Sequence, residues 1–177
     1  RMDAPKVDGW WRRASRSLLT PRCLICRERG CNGRDLCASC ADQLPWNRIA
    51  CLQCGLPMSA PGVCGDCLRD PPLLAQTRAV FVYGFPLDRL VPRFKFHRDL
   101  AAGRLMADLM AGALASAPRP DALVPVPLHA RRIRQRGYDQ ALELARPLAA
   151  TLALPLRADL LQRIRATAAQ SELDAGQ

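Results

Sequence analysis

Long apolar runs are missing from this sequence. No stretch approaches the roughly 18 to 20 consecutive apolar residues of a membrane-spanning helix. The opening residues, 1–19, also lack the apolar centre of a secretory signal. We therefore expect no membrane span and a cytoplasmic protein. In that reducing compartment thiols stay reduced, which argues against a disulfide-linked fold.

Lysine is nearly absent as well. Lys6 and Lys95 are the only lysines among 26 basic residues, which face 16 acidic residues and give a formal charge of +10. The remaining basic residues are arginines, whose planar guanidinium grips phosphate through two hydrogen bonds. A basic surface of this kind suits nucleic acid, phosphorylated metabolites or acidic partners, and net charge alone does not choose among them.

Residues 20–70 contain few large apolar side chains, and so short a module seldom folds around its own core. Eight of the nine cysteines lie here in four Cys-x-x-Cys pairs, which are Cys23/Cys26, Cys37/Cys40, Cys51/Cys54 and Cys64/Cys67. Two residues between thiolates form a tight knuckle that aims both sulfurs at one ion, and two knuckles complete a tetrahedron. The spacing predicts two structural zinc ions, each held by four cysteines in a closed site that leaves no position for catalysis.

The spacing permits two pairings of the knuckles. Consecutive pairing gives two similar ribbons, whereas alternating pairing gives a cross-braced module. Thioredoxin-like chemistry is disfavoured, because it needs one such pair at the start of a helix in a βαβ unit. Gly55 and Gly65 each follow a paired cysteine and fit turns with positive φ. Cys31 is left over, and we interpret it as a free thiol.

Pro71 and Pro72 mark a change of pattern, so the sequence divides into a basic segment at 1–19, a double zinc ribbon at 20–71 and a further domain at 72–177. Residues 78–84, 121–127 and part of 154–164 resemble strands, and residues 100–117 and 138–153 have helical periodicity. The βαβαβ order favours an α/β fold, a partial doubly wound parallel sheet.

Ligands of such sheets bind beyond the carboxyl ends of the strands. The stretch after residue 127 reads LHARRIRQRGYDQ, with Arg131, Arg132, Arg134 and Arg136 ahead of a predicted helix. Arginines beside a helix N-terminus predict an anion site, although a solvated basic loop is the simpler alternative. His129 is either an acid or base there or a bystander, and Lys95 lies within RFKFH, which suits a pocket wall or ordinary helix packing.

The order of these features resembles the ComF family of competence-associated proteins. The resemblance rests on the paired cysteine knuckles, VYGFPL, RFKFH, VPVPLHARRIRQRGYDQ and RIRATAAQ. It implies a zinc ribbon joined to a type I phosphoribosyltransferase-like domain that takes part in DNA uptake and, in a full-length form, binds phosphoribosyl pyrophosphate together with Mg²⁺. The implied phosphoribosyl pyrophosphate or anion site consists of Lys95, Pro125, Val126, Pro127, Leu128, His129, Arg131, Arg132, Arg136, Gly137 and Gln140, with the arginine segment as a mobile loop.

Two departures from the family pattern bear on activity. Asp139 stands where the family usually has asparagine, which places a carboxylate among the arginines. The family's acidic pair and Thr-Thr-Gly loop, which would hold the 5-phosphate, do not occur in these residues. We therefore expect a truncated domain that does not catalyse phosphoribosyl transfer, and single-stranded DNA or competence proteins as further partners. A non-catalytic zinc-ribbon module that binds single-stranded nucleic acid is the alternative function.

Overall fold

The computed structural model describes residues 21–166. The chain divides into two compact units, with the division after Leu90. The predicted segment at 1–19 lies outside the described residues, and the predicted domain boundary at 71/72 stays a prediction. Among the described residues, no helix has both the length and the apolar character needed to cross a membrane.

The first unit is built from two copies of one small motif. Each copy has an equivalent backbone hydrogen bond that closes its first knuckle, Cys23 N–H to Glu28 O in the first (2.8 Å) and Cys51 N–H to Leu56 O in the second (2.8 Å). The second cysteine pair of each copy then opens a short helix, α1 (Ala38–Asp42) or α2 (Gly65–Arg69). Each helix places its last cysteine in the buried interior.

Beyond the ribbons, the predicted strand at 78–84 contributes one antiparallel bridge, Trp46 to Phe81. The two rings lie 4.8 Å apart between centroids. Val82 N–H donates to Pro45 O at 2.8 Å, and Asn47 N–H donates to Val80 O at 3.0 Å. This stretch therefore pairs with residues 45–47 of the first unit.

The second unit contains the longer helices. Helix α3 (Leu87–Phe96) includes the division point, and α4 (Leu100–Leu114), α5 (Ala130–Arg136) and α6 (Gln140–Leu152) follow. Helix α4 packs against α6. Their buried side chains include Leu105, Leu109, Ala145 and Leu148. The helices predicted at 100–117 and 138–153 are thus present with slightly shorter bounds.

Glycine and aspartate fix the start of α4. A Cβ atom on Gly103 would lie 2.5 Å from the Phe94 ring, so only glycine permits this approach. Asp99 caps the helix by accepting from Ala102 N–H at 3.1 Å, and it pairs with Arg93 at 2.6 Å. Because a cap satisfies backbone donors that the helix leaves unpaired, Asp99 contributes on the order of 1 kcal/mol.

The predicted parallel sheet is not shown. Within residues 21–166 the pairing between the second and third predicted strands is a single parallel bridge, Leu123 to Leu156. Two backbone bonds support it, Leu123 N–H to Pro155 O at 2.8 Å and Arg157 N–H to Leu123 O at 3.0 Å. Pro125 and Pro127 follow directly, and proline has no N–H to donate to a strand ladder. The prolines therefore account for the early end of the pairing.

Candidate metal centres and anion site

The first cluster of thiols joins Cys23, Cys26, Cys37 and Cys40. All four sulfurs lie within 4.8 Å of one another. The Sγ atoms of Cys26 and Cys37 are 3.5 Å apart. A tetrahedron with Zn–S bonds of 2.3 Å has edges of about 3.8 Å, so this cluster fits one zinc ion.

The second cluster repeats this arrangement with Cys51, Cys54, Cys64 and Cys67, whose sulfurs also lie within 4.8 Å of one another. Its Cys54 and Cys64 Sγ atoms are 3.8 Å apart. The knuckles are therefore paired consecutively, and the cross-braced alternative is wrong. The protein has two structural zinc sites, each closed by four cysteines.

Backbone N–H groups point at the sulfurs and prepare them for metal. Cys40 N–H lies 3.4 Å from Cys37 Sγ, and Cys64 N–H lies 3.3 Å from Cys51 Sγ. Burial raises the pKa of the Cys23 thiol, but the N–H groups of Cys26 and Cys37 outweigh it and bring the pKa to about 6. The folded site thus favours the thiolate form of Cys23, which is the form that binds zinc.

The equivalent thiol of the second site behaves in the same way. The N–H groups of Cys54 and Cys64 lower the pKa of the Cys51 thiol to about 6. Burial raises the pKa of Cys40 and of Cys67, the last cysteine of each site. Zinc must displace those protons, so metal binding is expected to weaken as the pH falls.

The turn after each first knuckle needs positive φ. Gly55 supplies it at +75° in the second ribbon, as predicted, whereas Arg27 adopts +67° at the matching position of the first. The prediction for Gly65 was wrong, because this residue begins α2 with Cys64 as its N-cap. Cys31 lies outside both clusters, and its Sγ lies 3.3 Å from Leu36 O.

The arginine segment forms helix α5 and not a loop. His129 is its N-cap, with Nδ1 accepting from Arg131 N–H at 3.3 Å. Gly137 ends the helix in the left-handed conformation, with φ of +86°. His129 therefore has a structural task at Nδ1, and the seven-residue helix carries the arginines that the sequence singled out.

Arg136 is held in place from two sides. Its Nη1 donates to Gln140 Oε1 at 3.0 Å, and its guanidinium carbon lies 5.3 Å from the centroid of the Phe96 ring. Gln140 is buried, and its Nε2 has no hydrogen-bond partner among the described residues. These contacts fix the guanidinium before any ligand binds.

The segment around Lys95 meets the end of α5. Tyr138 donates from its hydroxyl to Phe94 O, and the two rings lie 5.6 Å apart. Burial raises the pKa of Tyr138 although Arg136 opposes that rise. The Arg98 guanidinium lies beside Gly137, where an added Cβ would approach its Nη2 to 3.1 Å. Arg98 was missed because no local pattern marks it.

Both carboxylate oxygens of Asp139 accept hydrogen bonds from backbone N–H groups. Its Oδ1 accepts from Ala141 N–H at 2.9 Å and Leu142 N–H at 3.2 Å, and its Oδ2 accepts from Leu128 N–H at 2.8 Å. The carboxylate therefore caps α6 and ties down the preceding loop. Among the described residues, Asp139 forms no ion pair with the arginines of α5.

The other predicted site residues differ in exposure. Pro125 is buried, Pro127 and Leu128 are half-buried, and Val126 is exposed. Lys95 and Arg131 are also exposed, whereas Arg132 and Arg136 are half-buried. Side-chain contacts bring residues 94–98 together with 136–140, and residue 128 together with Asp139. Among the described residues, none of these contacts involves the Lys95 ammonium.

Comparison with known proteins agrees with the paired knuckles. Residues 14–68 match the family model described as a double zinc ribbon domain. The chain is 32% identical over 161 residues to the DNA utilization protein YhgH of Escherichia coli strain K12, covering 86% of this chain and 71% of that protein. The chain belongs to the ComF family.

Other members of the ComF family have comparable sequence identity to the chain. The chain is 32% identical over 164 residues to competence protein F of Haemophilus influenzae, covering 87% of this chain and 70% of the relative. It is 39% identical over 147 residues to YhgH of Salmonella typhi, where it covers 79% of this chain and spans 65% of the relative's length. No solved structure matches the chain.

Proposed function

We propose that this ComF-family chain acts in DNA utilisation or competence, and that its second unit binds a diphosphate-bearing sugar of the phosphoribosyl pyrophosphate class. The relatives named DNA utilization protein and competence protein F support the first part. The anion site proposed for the second part comprises Arg131, Arg132, Arg136, Gly137, Gln140 and the loop 125–129, with Lys95 as a further basic residue.

The fixed position of Arg136 is the observation that carries the proposal. A guanidinium that is already held by Gln140 and Phe96 loses little side-chain freedom when it binds an anion. Within residues 21–166, Arg136 and its neighbours Arg131 and Arg134 form no ion pair with a carboxylate.

Asp139 is compatible with the same function. Both oxygens of its carboxylate accept from backbone N–H groups, which disperse its negative charge without removing it. Aspartate, which stands where the family usually has asparagine, thus supplies one acceptor oxygen for the cap of α6 and a second for the anchor of the loop. Mg²⁺ would accompany phosphoribosyl pyrophosphate in a full-length form, neutralising part of its charge.

Calorimetry with inorganic pyrophosphate, and then with phosphoribosyl pyrophosphate and Mg²⁺, tests the proposal. We expect Arg136→Ala to weaken binding by about tenfold or more, because a positioned charge-assisted contact is worth about 1.5–3 kcal/mol. Arg134→Ala, an exposed residue of the same helix, is the matched control. The absence of binding, or equal losses in both variants, would defeat the proposal.

The same pair of variants distinguishes the nucleic-acid alternative. Binding of an oligothymidylate should weaken steeply with salt, and each arginine should contribute about equally to it. A special role for Arg136 supports a substrate site. Equal arginine contributions to strand binding, without pyrophosphate binding, would instead support the non-catalytic nucleic-acid module.

A further inference from the structure

A groove of about 600 Å³ lies beside the second zinc site, within the first unit. Its apolar wall includes Leu56, Pro57, Phe81 and Val82, and Tyr83 stands at its edge with 70% of its surface exposed. Tyrosines exposed in this way are common anchors of binding surfaces, since they offer a large rigid face and a polar tip. The groove therefore has the apolar component of a recognition site.

Within the described residues, the charged groups that line this groove are all negative. Cys54, Cys64 and Cys67 are three of the four thiolates of the second zinc site, which carries a formal charge of about −2 with Zn²⁺ bound. Asp66 and Asp70 add two carboxylates. Arg69, which lies outside the lining, is 3.5 Å from Asp66 and offsets one of them. The groove remains negative in a chain whose total charge is positive.

The first ribbon lacks this feature. When the two ribbons are aligned on their second cysteine pairs, Ser39 occupies the position of Asp66, and Gln43 occupies that of Asp70. The fold of a ribbon therefore does not require the two carboxylates. Because only the second ribbon carries the two carboxylates, we interpret them as part of a binding surface.

We propose that this groove binds an arginine-bearing peptide segment of a partner protein. The thiolates and carboxylates attract a guanidinium, and the faces of Tyr83 and Phe81 allow a cation–π contact with it. The apolar wall accepts an aromatic or branched side chain next to the arginine. Nucleic acid is disfavoured here, because the negative lining repels its phosphates.

The test uses a fluorescein-labelled peptide, Gly-Arg-Trp-Arg-Gly, and its charge-reversed counterpart with glutamate for arginine, titrated against the zinc-loaded chain. We expect binding of the arginine peptide alone, weakened about three- to tenfold by Tyr83→Ala and by Asp70→Asn. Asp42→Asn, an exposed aspartate of the first ribbon, is the control and should leave the affinity unchanged. Zinc content is measured for each variant to confirm that the ribbons remain folded.

Three outcomes would overturn the inference. They are equal binding of both peptides, equal effects of Asp42→Asn and Asp70→Asn, and binding of an oligothymidylate that Tyr83→Ala abolishes. The last result would identify a nucleic-acid surface at the groove. Tyr83 and Asp70 are exposed, so substituting them should leave the fold intact. A change in peptide affinity can therefore be attributed to the lost side chain. The pyrophosphate experiment concerns the anion site proposed around α5, in the second unit, and it succeeds or fails independently of the groove.

Discussion

The two units of this chain are stabilised by different interactions. Cysteines are among the most buried side chains of the first unit, where Cys23 and Cys51 are each 1% exposed. The second unit instead buries leucine and alanine between α4 and α6. The comparison indicates that metal coordination organises the first unit, whereas apolar packing organises the second. Each unit should therefore respond to a perturbation that leaves the other nearly unchanged.

Removal of zinc is expected to have the largest effect. A strong chelator should unfold residues 23–67, because metal binding contributes about 10 kcal/mol or more per site and the ribbons have little core of their own. Amide hydrogen exchange should show lost protection there and retained protection in α4 and α6. An equal loss of amide protection in both units would contradict the view that metal organises the first unit and apolar packing organises the second.

A variant that creates a cavity in the second unit should destabilise that unit and leave the zinc ribbons unchanged. Leu105 is 3% exposed in α4, so Leu105→Ala should lower the free energy of unfolding by about 2–5 kcal/mol. Chemical denaturation followed by the helical circular dichroism signal measures this loss. Leu160→Ala, at a 54% exposed leucine, should change little, and zinc content should be the same in both variants.

Removal of the Asp139 carboxylate should have an intermediate effect on the second unit. Asp139→Ala removes the cap of α6 and the acceptor of Leu128 N–H, so we expect a loss of about 1–3 kcal/mol by denaturation. Asp139→Asn keeps one carbonyl oxygen that can cap α6, but its NH2 group cannot accept from Leu128 N–H, so it should recover only part of the loss. A stability of the alanine variant equal to that of the original chain would show that the cap is dispensable.

The smallest effects concern the turns of the two ribbons. Gly55→Ala should destabilise the second ribbon by about 1 kcal/mol, because an alanine at φ of +75° is strained and its Cβ would lie 3.2 Å from Thr77 Cγ2. Arg27→Gly should stabilise the first ribbon by a similar or smaller amount, since glycine adopts φ of +67° easily. Competition of each variant with a chromophoric zinc chelator measures both changes in stability. A change in the same direction for both variants would contradict the assignment of equivalent positive-φ turns to the two ribbons.

The zinc sites were predictable from the sequence because their information is local. Two residues between cysteines suffice to orient both sulfurs, and only the choice of pairing required the structure. The conformation of Arg27 was not predictable, since arginine rarely adopts positive φ and the glycine signal exists only in the second ribbon. The same local reasoning failed at Gly65, where Cys64 serves as the N-cap of α2.

Prediction was less complete in the second unit, where contacts are distant in sequence. The periodicity of α4 and α6 was recognised, but the arginine segment was interpreted as a loop. Arginine is a good helix former, and Gly137 is a typical residue after a helix end, so these signals could have identified α5. The meeting of Arg98 with Gly137 has no sequence signal at all, because it depends on how the chain folds back.

Zinc analysis of one double variant tests the central claim most directly. Cys23→Ser/Cys37→Ser removes two ligands from the first site in the consecutive pairing, but one ligand from each site in a cross-braced pairing. Elemental analysis after dialysis should give two zinc ions in the original chain and one in the variant. Cobalt substitution should then show one intact four-thiolate spectrum. Loss of both metals from the variant, or the absence of zinc from the original chain, would contradict the two consecutive ribbons.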